Sequence, residues 1–595
     1  MELLPTLTGG LLVLVSWAVY SIAVIAVGLV PATLILHRTR GSRRCDFGVV
    51  IRHSLWWGLL LLIIWAYALN LWQPLGSAVS LTLTLLLVSV AGVSGVLLLR
   101  KFGISRNLGS WHLVPWQWKL AVSAAGLAVL YFALAALGPV TNYDSGLYHL
   151  GAIRYSNEYS VIPGLANLYF PFGYSNAQVP LAALLSNGPW GLNGFRLLSG
   201  LVIFLVGVEL FLRVLAGSGT KKYGPGIYVL FVGLAVALIP LTALADFWVT
   251  SPTQDTAVFV VTVLTSAYLV DTVHSRKVWA AQSAILGTLA ITLVLFRPTA
   301  IFFAATVLIV VSLLALRRKG SRSGLALGTG IFIGVGLLAL IVSTARDYFL
   351  SGWFQYPLSL ISFPVAWKAA DPTPYREATL GFHRDPEKMW ESVSGFSWIA
   401  VWLTDRLALW ETYMLLLLAL IVVVLAVAAW RGVSVRVDKS FWRGLALCVL
   451  PSAVAIVAWF AVTPPSYRFA WGPLFTALTV PVGLLLWRAV FSRIAITIGA
   501  FAVIAVTVFS AGFRLDWTTI DQDSDWSLGV SIPYQIAPVA PVPVVDLALP
   551  SGLSVLVPVE SDQCWDNYPL CTPAPPAGLR LRSNDQGDFG SGFLP

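Results

Sequence analysis

Long apolar runs constrain the fold of this chain more than any other feature of its sequence. Crossing the hydrocarbon core of a bilayer takes roughly 20 apolar residues of helix, and about fourteen runs reach that length. They lie at residues 9–36, 54–73, 77–99, 119–138, 195–214, 225–245, 255–272, 279–296, 299–316, 324–344, 409–430, 444–462, 472–488 and 494–512. In lipid a segment must satisfy its own backbone hydrogen bonds, so such runs form helices. The pattern predicts an all-α polytopic membrane protein with about 14 transmembrane helices.

Composition excludes a soluble protein. Hydrophobic residues make up 58% of the chain and charged residues 11%, whereas a soluble domain carries about 25% charged residues. The first run has no basic segment before it and no small-residue cleavage site after it. We therefore expect it to be a retained span rather than a cleaved signal peptide.

Basic residues are concentrated in alternate loops. These loops hold most of the 37 lysines and arginines and lie at residues 37–53, 100–119, 213–222, 276–277, 317–322, 431–443 and 488–493. Loops rich in Lys and Arg remain cytoplasmic. The net charge of +10 thus reflects topology and not a surface for nucleic acid. The pattern predicts a multi-pass protein of the bacterial inner (plasma) membrane, with both termini on the non-cytoplasmic side.

The apolar runs and the polar intervals between them divide the chain into six segments. They are N-terminal transmembrane helices (1–139), a first large exoplasmic loop (140–194), a transmembrane core (195–344), a second large exoplasmic loop (345–410), C-terminal transmembrane helices (411–512) and a small exoplasmic tail (513–595). Short interfacial helices are predicted within the exoplasmic loops, at 144–158, 180–185 and 398–410, and a strand is predicted in the tail at 553–558.

The first large loop begins with a polar and aromatic motif, Asn142 to His149. The candidate site residues of this loop are Asp144, Tyr148, His149, Arg154, Asn167 and Tyr169. Plainer interpretations remain open. Asp144 could be an interfacial helix cap or ion-pair partner, Arg154 could pair with Glu158 four residues on, and the tyrosines could form an aromatic belt at headgroup depth.

Further candidate residues stand in the other outer loops. They are Asp246 and Asp255 after the sixth run, Arg297 in a tight hairpin, Tyr356 in the second large loop and Arg468 in a short turn. An arginine at membrane depth is costly and is usually paired or functional. As alternatives, Asp255 could cap a helix and the arginines could snorkel to the interface. Most charges of the second large loop predict a solvated face.

Two cysteines, Cys564 and Cys571, lie in the tail with six residues between them. On the non-cytoplasmic side a disulfide can persist, and that is the favoured interpretation. A metal site is the alternative, but no third ligand stands nearby.

The candidate polar groups all fall on one face of the membrane, while the span interiors are nearly free of charge. A transporter keeps ionisable residues near the bilayer midplane, so transport is disfavoured and a reaction at the outer interface is favoured. Transfer of a sugar from a lipid phosphate fits these groups. A carboxylate would deprotonate the acceptor hydroxyl, and arginines would bind the phosphate. Asp144 with Asp246 or Asp255 could hold a divalent cation, although the spacing assigns no cofactor with certainty.

The acid in the first large exoplasmic loop, the interfacial helices after it and the polytopic scaffold resemble the GT-C superfamily of polyprenyl-phosphate-dependent glycosyltransferases. The stretches 143–149 and 161–168 and the cysteine pair also resemble a group of large, poorly characterised bacterial inner-membrane proteins. The superfamily resemblance implies that Asp144 is the general base. It implies a polyprenyl-phosphate-linked sugar donor, an exoplasmic cell-envelope glycan or glycolipid acceptor, contact with membrane lipids and no nucleic acid. The superfamily loop usually follows the first span, whereas here it follows the fourth. The alternative is a flippase for lipid-linked oligosaccharide, or a non-catalytic binding or assembly protein for envelope polysaccharide.

Overall fold

The computed structural model describes most of the chain. The described residues are 3–40, 46–104, 109–174, 176–220, 223–276, 278–318, 322–388, 395–432, 437–514, 522–527, 531–539, 542–585 and 587–595. Within them, twelve helices are long and apolar enough to cross a membrane. The prediction of a helical multi-pass membrane protein is confirmed.

Helices form nearly all of the regular structure. In chain order they are α1 (Leu3–Arg40), α2 (Phe47–Asn70), α3 (Ala78–Lys101), α4 (Trp116–Ala135), α5 (Leu150–Glu158), α6 (Leu165–Leu168), α7 (Gln178–Leu185), α8 (Leu197–Thr220), α9 (Pro225–Ala243), α10 (Ala245–Trp248), α11 (Gln254–His274), α12 (Ala280–Phe296), α13 (Ile301–Arg317), α14 (Arg322–Ser351), α15 (Thr373–Arg384), α16 (Trp398–Leu407), α17 (Trp410–Trp430), α18 (Lys439–Val462), α19 (Trp471–Arg488) and α20 (Ser492–Arg514).

Two of the predicted spans fall outside the twelve. The runs 279–296 and 472–488 form α12 and α19, which are helices of 17 and 18 residues. Both are largely buried in protein, because α12 packs among α2, α11, α13 and α14, and α19 among α9, α11, α17 and α18. Helices enclosed by other helices need not match the full thickness of the lipid.

The interior of the bundle is formed by α8, α9, α11, α12 and α19, whereas α3 and α17 lie at its margin. Almost all of α11 is buried, but only Ser80 and Gly95 of α3 are. Lipid tails are as apolar as leucine side chains, so helices associate through close packing of small residues. Within α11, the carboxylates of Asp255 and Asp271 stand near opposite ends of the helix.

Helices α1 and α2 meet through glycine. A Cβ atom placed on Gly58 would lie 1.7 Å from the carbonyl oxygen of Val24, and one placed on Gly28 would lie 1.9 Å from that of Ser54. The two backbones are therefore in direct contact, an arrangement that only glycine permits.

We expect Gly58→Leu to separate α1 from α2 and to lower the yield of monodisperse protein in detergent by several-fold, because the clash is with backbone. Gly126→Leu is the matched control, since a Cβ atom there meets nothing within 4 Å. Size-exclusion profiles of both variants measure the effect. Equal yields for the two variants would contradict the close packing.

Short elements lie in the loops at one end of the bundle. A π-helical turn, Ser145–His149, leads into α5, and α7 and α16 follow further along the chain. These elements confirm the predicted helices at 144–158, 180–185 and 398–410. The described part of the tail contains three two-stranded antiparallel sheets, which pair β1 (Gln522–Ser527) with β2 (Ser531–Ile536), β3 (Val544–Ala548) with β4 (Ser554–Pro558) and β5 (Arg580–Leu581) with β6 (Phe593–Leu594). Strand β4 confirms the predicted strand.

Candidate functional site

An ion pair between Asp144 and Arg468 joins the first large loop to the turn between α18 and α19. The Arg468 Nη1 atom lies 2.9 Å from Asp144 Oδ2. The backbone N–H of Asp144 donates to Asn142 Oδ1 at 3.0 Å, which fixes the start of the π-helical turn. The two side chains are 17% and 27% exposed, so the pair is accessible from outside the protein.

A second ion pair, Arg297 with Asp255, is enclosed. Arg297 directly follows α12 and Asp255 lies in the first turn of α11, and their side chains are only 7% and 2% exposed. Arg297 Nη1 also donates to the carbonyl oxygen of Arg468 at 3.2 Å. Both guanidinium groups stand over the ring of Phe469, at 5.2 Å and 4.9 Å from its centre. The buried pair therefore holds the turn that presents Arg468.

Two histidines flank the accessible pair. His149 is 1% exposed, and neither of its ring nitrogens has a hydrogen-bond partner among the described residues. Burial lowers the pKa of His149 to about 4, although Asp144 opposes the shift. His383, on α15, meets Phe469 edge-on at 5.6 Å. Burial, together with Arg468 and Arg406, lowers the pKa of His383 to about 4 as well. Both imidazoles are neutral at pH 7.

The neutral His149 makes the fold sensitive to acid. Its folded pKa of about 4 lies below the unfolded value of 6.5, so this contribution to stability is full above pH 6.5 and falls between pH 6.5 and 4. At pH 5 the loss is about 2 kcal/mol relative to pH 7.5. We expect His149→Gln to show a smaller drop in melting temperature over this range than wild type. His112→Gln, at an exposed position, should leave the wild-type drop unchanged, and equal drops in all three proteins would refute the assignment.

Tyrosines line one side of the site. The ring of Tyr174 lies 5.8 Å from that of Tyr148 and 6.1 Å from that of Tyr356. Burial, followed by the charge of Asp144, raises the pKa of Tyr148. Burial also raises the pKa of Tyr169, with further contributions from Asp562, Tyr143 and Asp144. These hydroxyls remain protonated donors beside the carboxylate.

The C-terminal tail packs over the Asn142–His149 motif. The N–H groups of Cys564 and Trp565 both donate to the carbonyl oxygen of Gly146, each at 2.9 Å. Gln563 Nε2 donates to the carbonyl of Tyr143 at 2.8 Å. Cys564 and Cys571 form a disulfide that closes this segment. We call residues 562–571 the tail cap.

Some predicted site residues have their side chains engaged elsewhere. Arg154 pairs with Asp566 at 3.0 Å, and Asn167 Nδ2 donates to the carbonyl of Trp367 at 3.0 Å. Both residues thus bind the tail or the second large loop. Asp246 is half-buried, and its carbonyl accepts from Thr141 Oγ1 at 3.3 Å. Asp144, Tyr148, His149, Asp255, Arg297 and Arg468 are brought together.

Sequence reasoning missed His383, Phe469 and Tyr174. His383 stands among charged residues that predict a solvated face, but it is partly buried against Phe469. Phe469 is adjacent to Arg468, and an aromatic beside an isolated arginine was the available signal. Among the described residues, no group of three or more His, Cys, Asp or Glu side chains is arranged to hold a metal ion.

An apolar groove begins beside the site. Its volume is about 550 Å³, and it lies between α12, α13 and α14. Pro298 and Gln355, which are next in sequence to Arg297 and Tyr356, line the end of the groove nearest the site. Phe332 and Gly336 line the part farther from the site. Its walls are almost entirely hydrocarbon, which suits a lipid chain and not a polar ligand.

The fold and the site define a polytopic helical membrane protein with an accessible aspartate–arginine pair at one end of its bundle. The chain belongs to the family described as a domain of unknown function, DUF8201, whose sequence pattern matches residues 11–475. The matched range includes both ion pairs, whereas α20 and the tail lie beyond it. No curated protein and no solved structure matches the chain.

Proposed function

We propose that the protein is a membrane glycosyltransferase that moves a sugar from a polyprenyl-phosphate donor to an exoplasmic cell-envelope glycan or glycolipid. The observation that carries the proposal is the accessible Asp144–Arg468 pair, with its 2.9 Å separation. It places a proton acceptor and a phosphate-binding cation side by side, and sugar transfer from a lipid phosphate needs both.

In the proposed reaction, the acceptor hydroxyl attacks the anomeric carbon of the donor sugar. The bond between that carbon and the phosphate oxygen breaks, and the oxygen leaves with the electron pair. Asp144 takes the proton of the hydroxyl, and Arg468 stabilises the charge on the departing polyprenyl phosphate. A guanidinium group binds phosphate oxygens through a planar fork, which suits it to this role.

The ion pair makes donor binding precede proton transfer. Before the donor arrives, the guanidinium group of Arg468 occupies the Asp144 carboxylate. The donor phosphate competes for Arg468 and releases Asp144 for proton transfer. Arg297 is enclosed with Asp255, so its role is to position the Arg468 turn.

The apolar groove supports a lipid-linked donor. It offers about 550 Å³ beside Arg297 and the turn of Arg468, and a polyprenyl chain lying in it would bring its phosphate to the polar end. The ring nitrogens of the neutral His149 have no partner among the described residues. The imidazole is therefore suited to form a hydrogen bond with a hydroxyl group of the sugar.

The proposed topology follows from charge. We place the site outside the cytoplasm of a bacterial inner membrane, with fourteen crossings and both termini outside. The support is the concentration of Lys and Arg in alternate loops. The fourteen crossings count α12 and α19 together with the twelve longer helices.

The test is sugar transfer by the purified protein in proteoliposomes. Polyprenyl-phosphate-linked radiolabelled sugars and an envelope lipid extract would be supplied, and release of polyprenyl phosphate would be measured. Transfer above protein-free vesicles would support the proposal. Binding of the lipid-linked sugar without release of polyprenyl phosphate would refute it and favour the flippase or assembly alternative.

A further inference from the structure

A second charged cluster lies at the far end of the central helices. Helix α11 begins near Asp255, at the candidate site, and carries Asp271 sixteen residues later, about 24 Å away along the helix axis. Around Asp271 the side chains come from α2, α8 and the segment before α9. The proposed transfer reaction uses none of them.

Both carboxylates of this cluster are satisfied. Glu209 is fully buried and accepts from Arg213 Nε at 2.7 Å, from the Tyr268 hydroxyl at 2.9 Å and from Trp56 Nε1 at 3.2 Å. Asp271 accepts from Arg213 Nη1 at 2.5 Å. Each carboxylate oxygen of Glu209 and Asp271 accepts a described hydrogen bond, so the two side chains do not indicate a cation site.

The donors of the cluster are not all satisfied. Arg52 Nε, Arg213 Nη2 and the Tyr223 hydroxyl are buried and have no hydrogen-bond partner among the described residues. Arg213 is 6% exposed. An unsatisfied buried donor is expensive, and three of them around one space indicate a missing acceptor.

A cavity of about 220 Å³ lies between these donors. Arg52, Arg213, Tyr223 and Asp271 line it. Burial raises the pKa of Tyr223 to about 12, so its hydroxyl stays a donor at neutral pH. Beside the cavity, a Cβ atom on Gly217 would lie 2.3 Å from the Tyr223 ring. Glycine at this position lets the Tyr223 ring pack directly against α8.

The cavity lining carries both signs of charge. Arg52 and Arg213 line the cavity together with the Asp271 carboxylate, and Arg52 Nη1 lies 3.7 Å from Glu209 Oε1. The carboxylates engage other nitrogens of these arginines, so Arg52 Nε and Arg213 Nη2 still lack an acceptor among the described residues. These donors favour a ligand with several acceptor oxygens.

We propose that this cavity binds a phosphate group at the membrane face opposite Asp144. Tetrahedral phosphate has enough oxygens to accept from both guanidinium groups and from the Tyr223 hydroxyl together. Arginine is the side chain best suited to such recognition. The phosphate belongs either to the headgroup of an anionic lipid or to a soluble phosphate compound. The site stands independently of the proposed glycosyl transfer.

The test uses the purified full-length protein with two probes. Titration calorimetry with inorganic phosphate reports a soluble ligand, and native mass spectrometry with phosphatidylglycerol reports a lipid headgroup. We expect Tyr223→Phe and Arg52→Gln each to weaken binding by about tenfold, the usual worth of a hydrogen bond to a charged group. Arg276→Gln, an exposed arginine after α11, is the matched control.

Tyr223→Phe removes only a hydroxyl without a described partner, so it should keep the wild-type melting temperature. The site is supported if wild type binds phosphate, the lipid or both, and if this binding is weaker in Tyr223→Phe but unchanged in Arg276→Gln. The probe that binds then identifies the source of the phosphate. Binding that is equal in Tyr223→Phe and Arg276→Gln, or no binding of either probe by wild type, overturns it.

Discussion

Asp144→Asn is expected to reduce sugar transfer by a factor of about 10²–10⁴, the usual contribution of a positioned general base. The amide has nearly the shape of the carboxylate but cannot take the proton of the acceptor. The Asp144–Arg468 pair is partly exposed, and pairs of that kind contribute about 0–1 kcal/mol to stability. The variant should therefore fold and bind the donor but fail to catalyse sugar transfer.

The matched control for this prediction is Asp546→Asn, an exposed aspartate on strand β3. Transfer in proteoliposomes and melting temperature in detergent would be measured for both variants and for wild type. Wild-type turnover in Asp144→Asn would remove Asp144 from the role of base. Loss of folding in that variant would instead assign the residue a structural role.

Arg297→Met is expected to destabilise the protein by about 3–5 kcal/mol, because it leaves the Asp255 carboxylate buried without its cation. Asp255 is 3% exposed, and its other described side-chain contact is the Thr253 hydroxyl at 3.0 Å. Removal of Arg297 also frees the carbonyl of Arg468. The melting temperature in detergent is the measurement.

The double variant Arg297→Met, Asp255→Leu removes both charges. Well-packed apolar residues often replace a buried ion pair at little cost, so it should recover most of the lost stability. A double-mutant cycle then gives the coupling energy. Additive effects of the two substitutions would show that the pair is not coupled. Retained stability with lower activity in the double variant would support the positioning role of Arg297.

Most of the bundle could be predicted because the apolar runs are long and lipid forces them to be helical. The runs 279–296 and 472–488 show the limit of that reasoning. Hydropathy indicates that a segment leaves water, but it does not distinguish lipid from surrounding helices, and α12 and α19 are packed inside the protein. The glycine contact of Gly58 with α1 was also not predictable, since many glycines in such helices meet nothing.

The candidate site was accessible to sequence reasoning only in part. Isolated charges among apolar runs mark Asp144, Arg297 and Arg468 individually, because charge near lipid is costly. Their pairing could not be predicted from the sequence, because Asp144 and Arg468 stand in separate loops hundreds of residues apart. Asn167 resembles a site residue in composition, yet its amide binds the carbonyls of Trp367 and Phe593. Partners of this kind depend on the tertiary fold.

The tail cap has a consequence for how the protein is made. Gln563 contacts Tyr143 across 420 residues of sequence, so the ribosome synthesises the cap long after the motif that it covers. The Cys564–Cys571 bond persists only in an oxidising compartment. On the proposed topology the motif therefore stays open during insertion of the later helices, and it closes when the tail has been exported and oxidised. Maturation of the site is thereby tied to completion of the chain.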